Sequence, residues 1–220
     1  MSEKGPKPSK RLLDPMVRLS EILFGLIMVL TITSSISVAQ GGRQEVRTML
    51  VGAVGCNLAW GIIDGVFYLL GVITQRGHGL IAFRALRRAK DAAEAHRIIA
   101  DELPPLLAAV ISPIEFEVMR GKLNEMPDPP VPVTISRSDW LAALGVCLLV
   151  FLSTFPVVVP FLFITGARLA LRVSNGVAIV MLFLTGYALG RYSGRPAWKW
   201  GLWMVLLGAA LAGLAGVMGG

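Results

Sequence analysis

Charged residues are scarce in this chain of 220 residues: only 16% of them are Asp, Glu, Lys or Arg, whereas 55% are hydrophobic. A soluble domain usually carries about a quarter charged residues. The chain also has only two cysteines, too few for the disulfide framework of a small secreted protein. Together these shortages exclude a soluble globular enzyme, a disulfide scaffold and a disordered chain.

Charge is almost absent from five long apolar segments, which together contain a single formal charge, that of Asp64. Each segment approaches or exceeds the roughly 20 residues that a helix needs to cross a bilayer core. The segments are residues 22–39, 49–73, 140–164, 173–189 and 200–218. The sequence therefore predicts an all-α, polytopic membrane protein with five transmembrane helices, for which the lipid bilayer is the first partner.

The basic residues are distributed unevenly between the two sides of the predicted membrane. Of the 21 Lys and Arg residues, 17 lie on the side of the N-terminus and 4 on the other side. The positive-inside rule therefore predicts a cytoplasmic N-terminus and a C-terminus outside. Because topology accounts for the net charge of +7, we expect no nucleic-acid partner.

The first apolar segment has two interpretations. It ends in Ser37-Val38-Ala39, which resembles the small-residue cleavage site of a signal peptide. However, the leader before it is long and contains acidic residues, so a retained helix is favoured. We expect an integral protein of the bacterial inner (plasma) membrane.

The predicted organisation has four parts: a cytoplasmic leader (1–20), transmembrane helices one and two (21–73), a cytoplasmic helical subdomain with a Pro-rich spacer (74–139), and transmembrane helices three to five (140–220). The subdomain pattern predicts one helix over 81–102, ended by Pro104-Pro105, and another that Ser112 caps and that continues to about Leu123. Pro156 and Pro160 should kink or break helix three.

Asp64 is the most informative residue, because a carboxyl group in the bilayer core is costly and usually faces a cavity or a partner. Helical spacing places it on one stripe with Asn57, Gly61 and Tyr68. An ionisable group there can bind a cation or carry a proton. The alternative is a protonated carboxyl group that is hydrogen-bonded to another helix. Glu21 lies at the cytoplasmic mouth of helix one, where the alternative interpretation is that its carboxylate only complements the helix N-terminus.

The cytoplasmic subdomain offers a second set of candidate ligands. Carboxylates combined with a thioether can hold a borderline transition metal, and the candidates are Glu94, Glu102, Glu115 and Met119. Solvated helix faces with ion pairs are the alternative interpretation. Nucleophile elbows, phosphate-binding loops and zinc-protease helices are missing from the sequence, so we expect no enzymatic activity and no tightly bound cofactor.

Three short segments resemble the vacuolar iron transporter family: Ser20-Glu21-Ile22-Leu23-Phe24-Gly25-Leu26, Pro156-Val-Val-Val-Pro160-Phe161 and Gly190-Arg191-Tyr192-Ser193-Gly194-Arg195. The resemblance also covers the five-helix organisation with a three-helix cytoplasmic subdomain after helix two. It implies a homodimer that exports ferrous iron or a related divalent metal from the cytosol in exchange for protons. It also implies a metal path between the two copies of helix one.

One position departs from the family pattern. The family typically places an acidic residue two positions after Phe-Gly-Leu, and this chain has Met28 there. A thioether is a poor ligand for a hard, hydrated cation, so Asp64 on the next helix is the candidate replacement.

The leading hypothesis is a proton-coupled transporter of a divalent metal, iron or manganese. Its metal or proton path would contain Asp64, Glu21, Met28 and Asn57, and the divalent ion would be its substrate. There are two alternatives. One is a membrane scaffold or sensor that keeps the fold without the metal site, and the other is a transporter of an organic solute.

Overall fold

A computed structural model of the chain describes residues 13–35, 43–127 and 134–218. Every regular element in these residues is an α-helix, and none of them forms a strand. The helices are α1 (Pro15–Ser35), α2 (Arg43–Arg88), α3 (Ala92–Asp101), α4 (Pro105–Val110), α5 (Pro113–Glu125), α6 (Arg137–Ser153), α7 (Phe155–Phe163), α8 (Ala167–Tyr192) and α9 (Ala197–Met218).

Five segments of the described chain are long and apolar enough to cross a bilayer: Pro15–Thr33, Val46–Arg88, Arg137–Phe163, Ala167–Tyr192 and Ala197–Ala215. The predicted all-α class with five membrane helices is therefore confirmed. The predicted orientation of the termini stays a prediction. The possible cleavage site at Ser37-Val38-Ala39, most of the leader and part of the Pro-rich spacer lie outside the described residues.

Helix α1 begins at Pro15, inside the segment predicted as leader and seven residues before the apolar run. Asp14 and Pro15 cause this early start. An Asp14 carboxylate oxygen accepts a hydrogen bond from the backbone N–H of Met16 at 2.7 Å and so caps the helix. Proline is favoured at the first helical position, because the N–H group that it lacks would have no partner within the helix there.

The third membrane segment is broken, as its prolines predict. Helix α6 ends at Ser153 and α7 begins at Phe155, with Thr154 between them. Pro156 lacks the N–H that would continue the helical hydrogen bonds. The Thr154 carbonyl accepts instead from the N–H groups of Val157 and Val158, at 3.2 and 3.1 Å.

The described chain divides into two compact units. The first, called the membrane unit, contains the described residues up to Tyr68 and from Arg137 onward; the second, called the loop unit, is Leu69–Ser136. The predicted subdomain boundaries of 74–139 stay a prediction.

Helix α1 is the centre of the membrane unit. Its buried residues Leu23, Leu26, Val29 and Leu30 pack in one cluster with apolar side chains of α2, α7 and α8. Dispersion contacts rather than hydrophobic burial hold such helices together in lipid, so close backbone approach matters.

Glycines allow that approach at two helix contacts. A Cβ atom on Gly61 would lie 2.7 Å from the carbonyl oxygen of Cys147 on α6, and one on Gly186 would lie 2.7 Å from that of Trp200 on α9. The four-residue glycine spacings at these positions therefore serve packing within the chain.

The loop unit has a small core of its own, formed by Leu86, Ala95, Ile99 and Phe116. The single helix predicted over 81–102 is wrong in two respects: residues 81–88 continue α2 without a break after 73, and α3 starts anew at Ala92. Asp91 caps α3 by accepting from the backbone N–H of Glu94 at 2.8 Å. The predicted cap of α5 at Ser112 is confirmed.

Candidate functional site

Glu21 and Asp64 meet between α1 and α2 in the membrane unit. The two carboxyl groups lie within reach of a hydrogen bond, and both side chains are half-buried. Ionised carboxyl oxygens only accept hydrogen bonds, so a hydrogen bond between the two groups needs a proton on one of them. Asp64 Oδ2 is buried and accepts no hydrogen bond from an N–H or alcohol O–H donor of the described residues. The structure therefore places two carboxyl groups, with an open buried acceptor, at one point between α1 and α2.

The two helices run antiparallel, and their contacts follow a regular register. The rings of Phe24 on α1 and Trp60 on α2 lie 5.5 Å apart, edge to face. Both residues are about one helical turn from the carboxyl pair and add apolar surface near it. An acidic pair in such surroundings interacts with a cation more strongly than one in water, because the local dielectric is low.

Asn57 lies about two helical turns from Asp64 on α2 and is completely buried. Its Nδ2 atom donates to Thr154 Oγ1 at 2.6 Å and contacts the Gly25 carbonyl oxygen at 3.4 Å. Its Oδ1 atom is buried without a hydrogen-bond partner in the described chain. Asn57 thus ties α2 to α1 and to the break between α6 and α7.

Met28 does not contact the carboxyl pair. It lies two helical turns beyond Glu21 on α1, where its Sδ atom is 4.0 Å from the Sγ atom of Cys56 on α2. The predicted path residues Glu21, Asp64, Asn57 and Met28 therefore all lie along the contact of α1 with α2, but at three different levels. Sequence reasoning missed Cys56, because nothing in the sequence pairs it with Met28.

The structure gives two of the predicted cytoplasmic ligands a local structural role. Glu115 accepts hydrogen bonds from the backbone N–H and hydroxyl of Ser112, at 2.7 and 2.8 Å, in a capping box at the start of α5. These bonds hold the pKa of Glu115 below its ordinary value, the backbone bond contributing most. Glu94 likewise accepts from the backbone N–H of Lys90 at 2.9 Å. The pattern Ser112-x-x-Glu115 is itself a sequence signature of this box.

The other two cytoplasmic candidates share a cavity. Glu102 and Met119 both line a cavity of about 230 Å³ in the loop unit, whose remaining lining is apolar. Glu102 is also paired with His78, with Oε1 and Nδ1 3.2 Å apart. Within the described residues, no three His, Cys, Asp or Glu side chains are grouped closely enough to hold one metal ion. A cytoplasmic metal site stays a prediction.

A second histidine contact lies on the outer surface of the loop unit. His96 Nε2 is 3.0 Å from Glu117 Oε2, and Arg120 approaches the same carboxylate at 3.3 Å. The hydrogen bond to His96 is the main cause that lowers the pKa of Glu117. This group is an exposed charge network of the kind that contributes little to stability.

Five apolar helices, with two carboxyl groups close together between α1 and α2, define a polytopic membrane protein with an acidic site on its membrane helices. The model of the vacuolar iron transporter (VIT) family matches residues 87–220. This is more than half of the chain, and the chain belongs to that family, as the sequence motifs predict. Membership assigns it to membrane metal-ion transport and agrees with the expectation that it is not an enzyme.

The family match begins near the end of α2, so the carboxyl pair, Asn57 and Met28 lie before it. No protein of established function matches the chain. The roles of these residues therefore follow from their chemistry and geometry.

Proposed function

We propose that this protein is a proton-coupled transporter that exports a divalent metal cation, iron or manganese, from the cytosol. The observation that carries the proposal is the close approach of the carboxyl groups of Glu21 and Asp64 between two membrane helices. Ionisable groups inside a membrane protein are typical of ion pathways and proton relays.

Two adjacent carboxyl groups can exchange protons for a cation. With one shared proton the pair carries a single negative charge, and loss of that proton leaves two negative charges that repel each other. A divalent cation neutralises both charges, so its binding favours release of the proton, and protonation favours release of the cation. This reciprocal competition is the chemistry that an exchanger needs.

Hard and borderline divalent cations prefer oxygen ligands, which the pair supplies. Asp64 Oδ2 accepts no hydrogen bond from an N–H or alcohol O–H donor of the described residues, so it is open to such a contact. Glu21 stands nearer the N-terminal end of α1, for which the positive-inside rule predicts a cytosolic location. We therefore place cation entry at Glu21 and transfer at Asp64.

We further propose that two copies assemble in the bacterial inner membrane, as the family resemblance implies. In the loop unit, Glu102 and Met119 remain the candidates for collecting metal, because they share one cavity. Glu94 and Glu115 enter this role only by giving up their helix caps.

The test is metal uptake by the purified protein in liposomes with an acidic interior. We expect Mn²⁺ or Fe²⁺ uptake that a protonophore abolishes. Glu21→Gln and Asp64→Asn remove the exchangeable charge while keeping shape, and each should lower the proton-driven rate by at least about tenfold. The matched control is Glu125→Gln, which neutralises an exposed carboxylate at the end of α5 and should transport normally.

Equal uptake by Asp64→Asn and the wild type would remove Asp64 from the mechanism. Uptake of no divalent metal by the folded wild-type protein would contradict the proposal and favour a scaffold or sensor that keeps the fold.

A further inference from the structure

A thiol and a thioether face each other between α1 and α2. Cys56 Sγ lies 4.0 Å from Met28 Sδ, and both side chains are half-buried in the membrane unit. We propose that these two sulfur atoms form a binding site for a soft, thiophilic metal ion of the Cu(I) or Ag(I) class. Thiolate and thioether are the ligands that select such ions, whereas hard cations prefer oxygen.

The distance between the sulfurs fits one bridging ion. With sulfur–metal bonds of about 2.3 Å, the value for zinc thiolates, a 4.0 Å separation corresponds to an angle of about 120° at the metal. The ion can therefore enter without separating α1 from α2, and a trigonal angle leaves room for a third ligand.

A buried acceptor lies at the next residue along α2. Asn57 is completely buried, and its Oδ1 atom has no hydrogen-bond partner within the described chain. A buried polar atom without a partner costs free energy, typically about 1–3 kcal/mol. Because Asn57 follows Cys56 directly on α2, the sulfur pair has an open oxygen acceptor at the next residue along the helix.

Binding changes one bond at each partner and transfers no electrons. The S–H bond of Cys56 breaks, a sulfur–metal bond forms, and the proton leaves to solvent. Met28 donates a sulfur lone pair and keeps its own bonds. An ion that enters as Cu(I) or Ag(I) keeps its oxidation state, so no oxidant or reductant is required.

Met28 and Cys56 lie about 10–12 Å from the carboxyl pair along α1 and α2, since a helix rises 1.5 Å per residue. If the proposed transport path follows α1 and α2, its cargo passes from oxygen to sulfur ligands. The cargo class would then include soft ions as well as divalent iron or manganese. This statement on cargo rests on the proposed function, whereas metal binding at Met28 and Cys56 does not.

The test uses the full chain in detergent and Ag(I), which needs no reductant. Because the chain has two cysteines, Cys147→Ala leaves Cys56 as the only thiol that a maleimide can label. We expect Ag(I), but not Mn²⁺, to protect Cys56 from labelling. Met28→Leu in that background should raise the half-protecting Ag(I) concentration by at least about tenfold, since loss of a metal contact typically costs that much affinity.

Met181→Leu removes a different membrane thioether and is the matched control, which should not shift the protection. X-ray absorption of the Ag(I)-loaded protein gives a second measurement that needs no labelling, with two sulfur neighbours expected in the Cys147→Ala protein and one after Met28→Leu. Unchanged protection and an unchanged sulfur count in Met28→Leu would overturn the proposal, as would equal protection by Mn²⁺.

These outcomes separate the two proposals. Loss of Ag(I) binding in Met28→Leu, in a protein that moves no metal, would establish the sulfur site and reject transport. Proton-driven manganese uptake by the wild type, together with unchanged Ag(I) binding in Met28→Leu, would establish transport and reject the sulfur site.

Discussion

Gly25 allows α1 to pack closely against α6 near the candidate site, and its replacement by alanine tests the importance of this close packing. The residue lies one helical turn after Glu21 on α1, where the helix crosses α6. A Cβ atom there would overlap Ser153 Oγ and would lie 2.7 Å from the Val150 carbonyl oxygen. Ordinary contacts begin at 3.4 Å, so α1 must move away from α6 by about 0.7 Å. The serine can rotate away, but the backbone carbonyl cannot.

Overpacking of this size typically costs about 1–3 kcal/mol. In a chain of this length, that loss lowers the melting temperature by roughly 2–12 °C. The displacement also separates Gly25 from Asn57, whose Nδ2 atom contacts the Gly25 carbonyl oxygen at 3.4 Å. We therefore expect Gly25→Ala to lower both the melting temperature in detergent and the rate of metal uptake.

Gly55→Ala on α2 is the matched control, because a Cβ atom there meets nothing within 4 Å. Alanine is the better helix former by roughly 0.5–1 kcal/mol, so this variant should be as stable as the wild type or slightly more stable. An unchanged melting temperature for Gly25→Ala, or an equal decrease for Gly55→Ala, would refute this reasoning.

Two further predictions concern the loop unit and are measured by hydrogen exchange on the full chain. Ser112→Ala removes the α5 cap and should cost about 1 kcal/mol, seen as roughly fivefold faster exchange in α5. Because the pKa of Glu115 is lowered from 4.5, its contribution is present above pH 4.5 and is lost as the pH falls through the lowered pKa. Ser112→Ala keeps the backbone N–H that contributes most, so the variant that tests this is Glu115→Gln, which should remove the acid sensitivity; equal acid sensitivity would contradict the assignment. Phe116→Ala should destabilise the loop-unit core by about 3–5 kcal/mol. Leu106→Ala is the control, because that side chain is 85% exposed, and it should change hydrogen exchange little. Similar effects of the two substitutions would count against the core assignment.

Sequence patterns predicted those features that depend on neighbouring residues. Hydropathy located five membrane segments because lipid requires every span to be apolar along its length. Pro156 predicted the break in the third segment, since proline removes a donor wherever it stands. Ser112 predicted the start of α5, but the role of Glu115 three residues later was missed, although the two form a capping box by sequence alone.

The candidate site was predicted as a set of residues but not as an arrangement. Glu21 and Asp64 were separate candidates, one assigned to the mouth of helix one and the other to the bilayer core. Their close approach depends on how α1 and α2 are rotated about their axes and on the register between them. Composition fixes neither quantity, because several apolar faces of each helix are equally compatible with lipid.

By itself, then, the sequence determined the class of this protein, its membrane segments, the break at Pro156 and the start of α5 at Ser112, because each depends on residues close together in the chain. Only the tertiary structure decided which polar groups meet. It joins Glu21 to Asp64, Met28 to Cys56 and Asn57 to Thr154. These partners are 28 to 97 residues apart, and close packing at glycines selects the helix faces that bring them together.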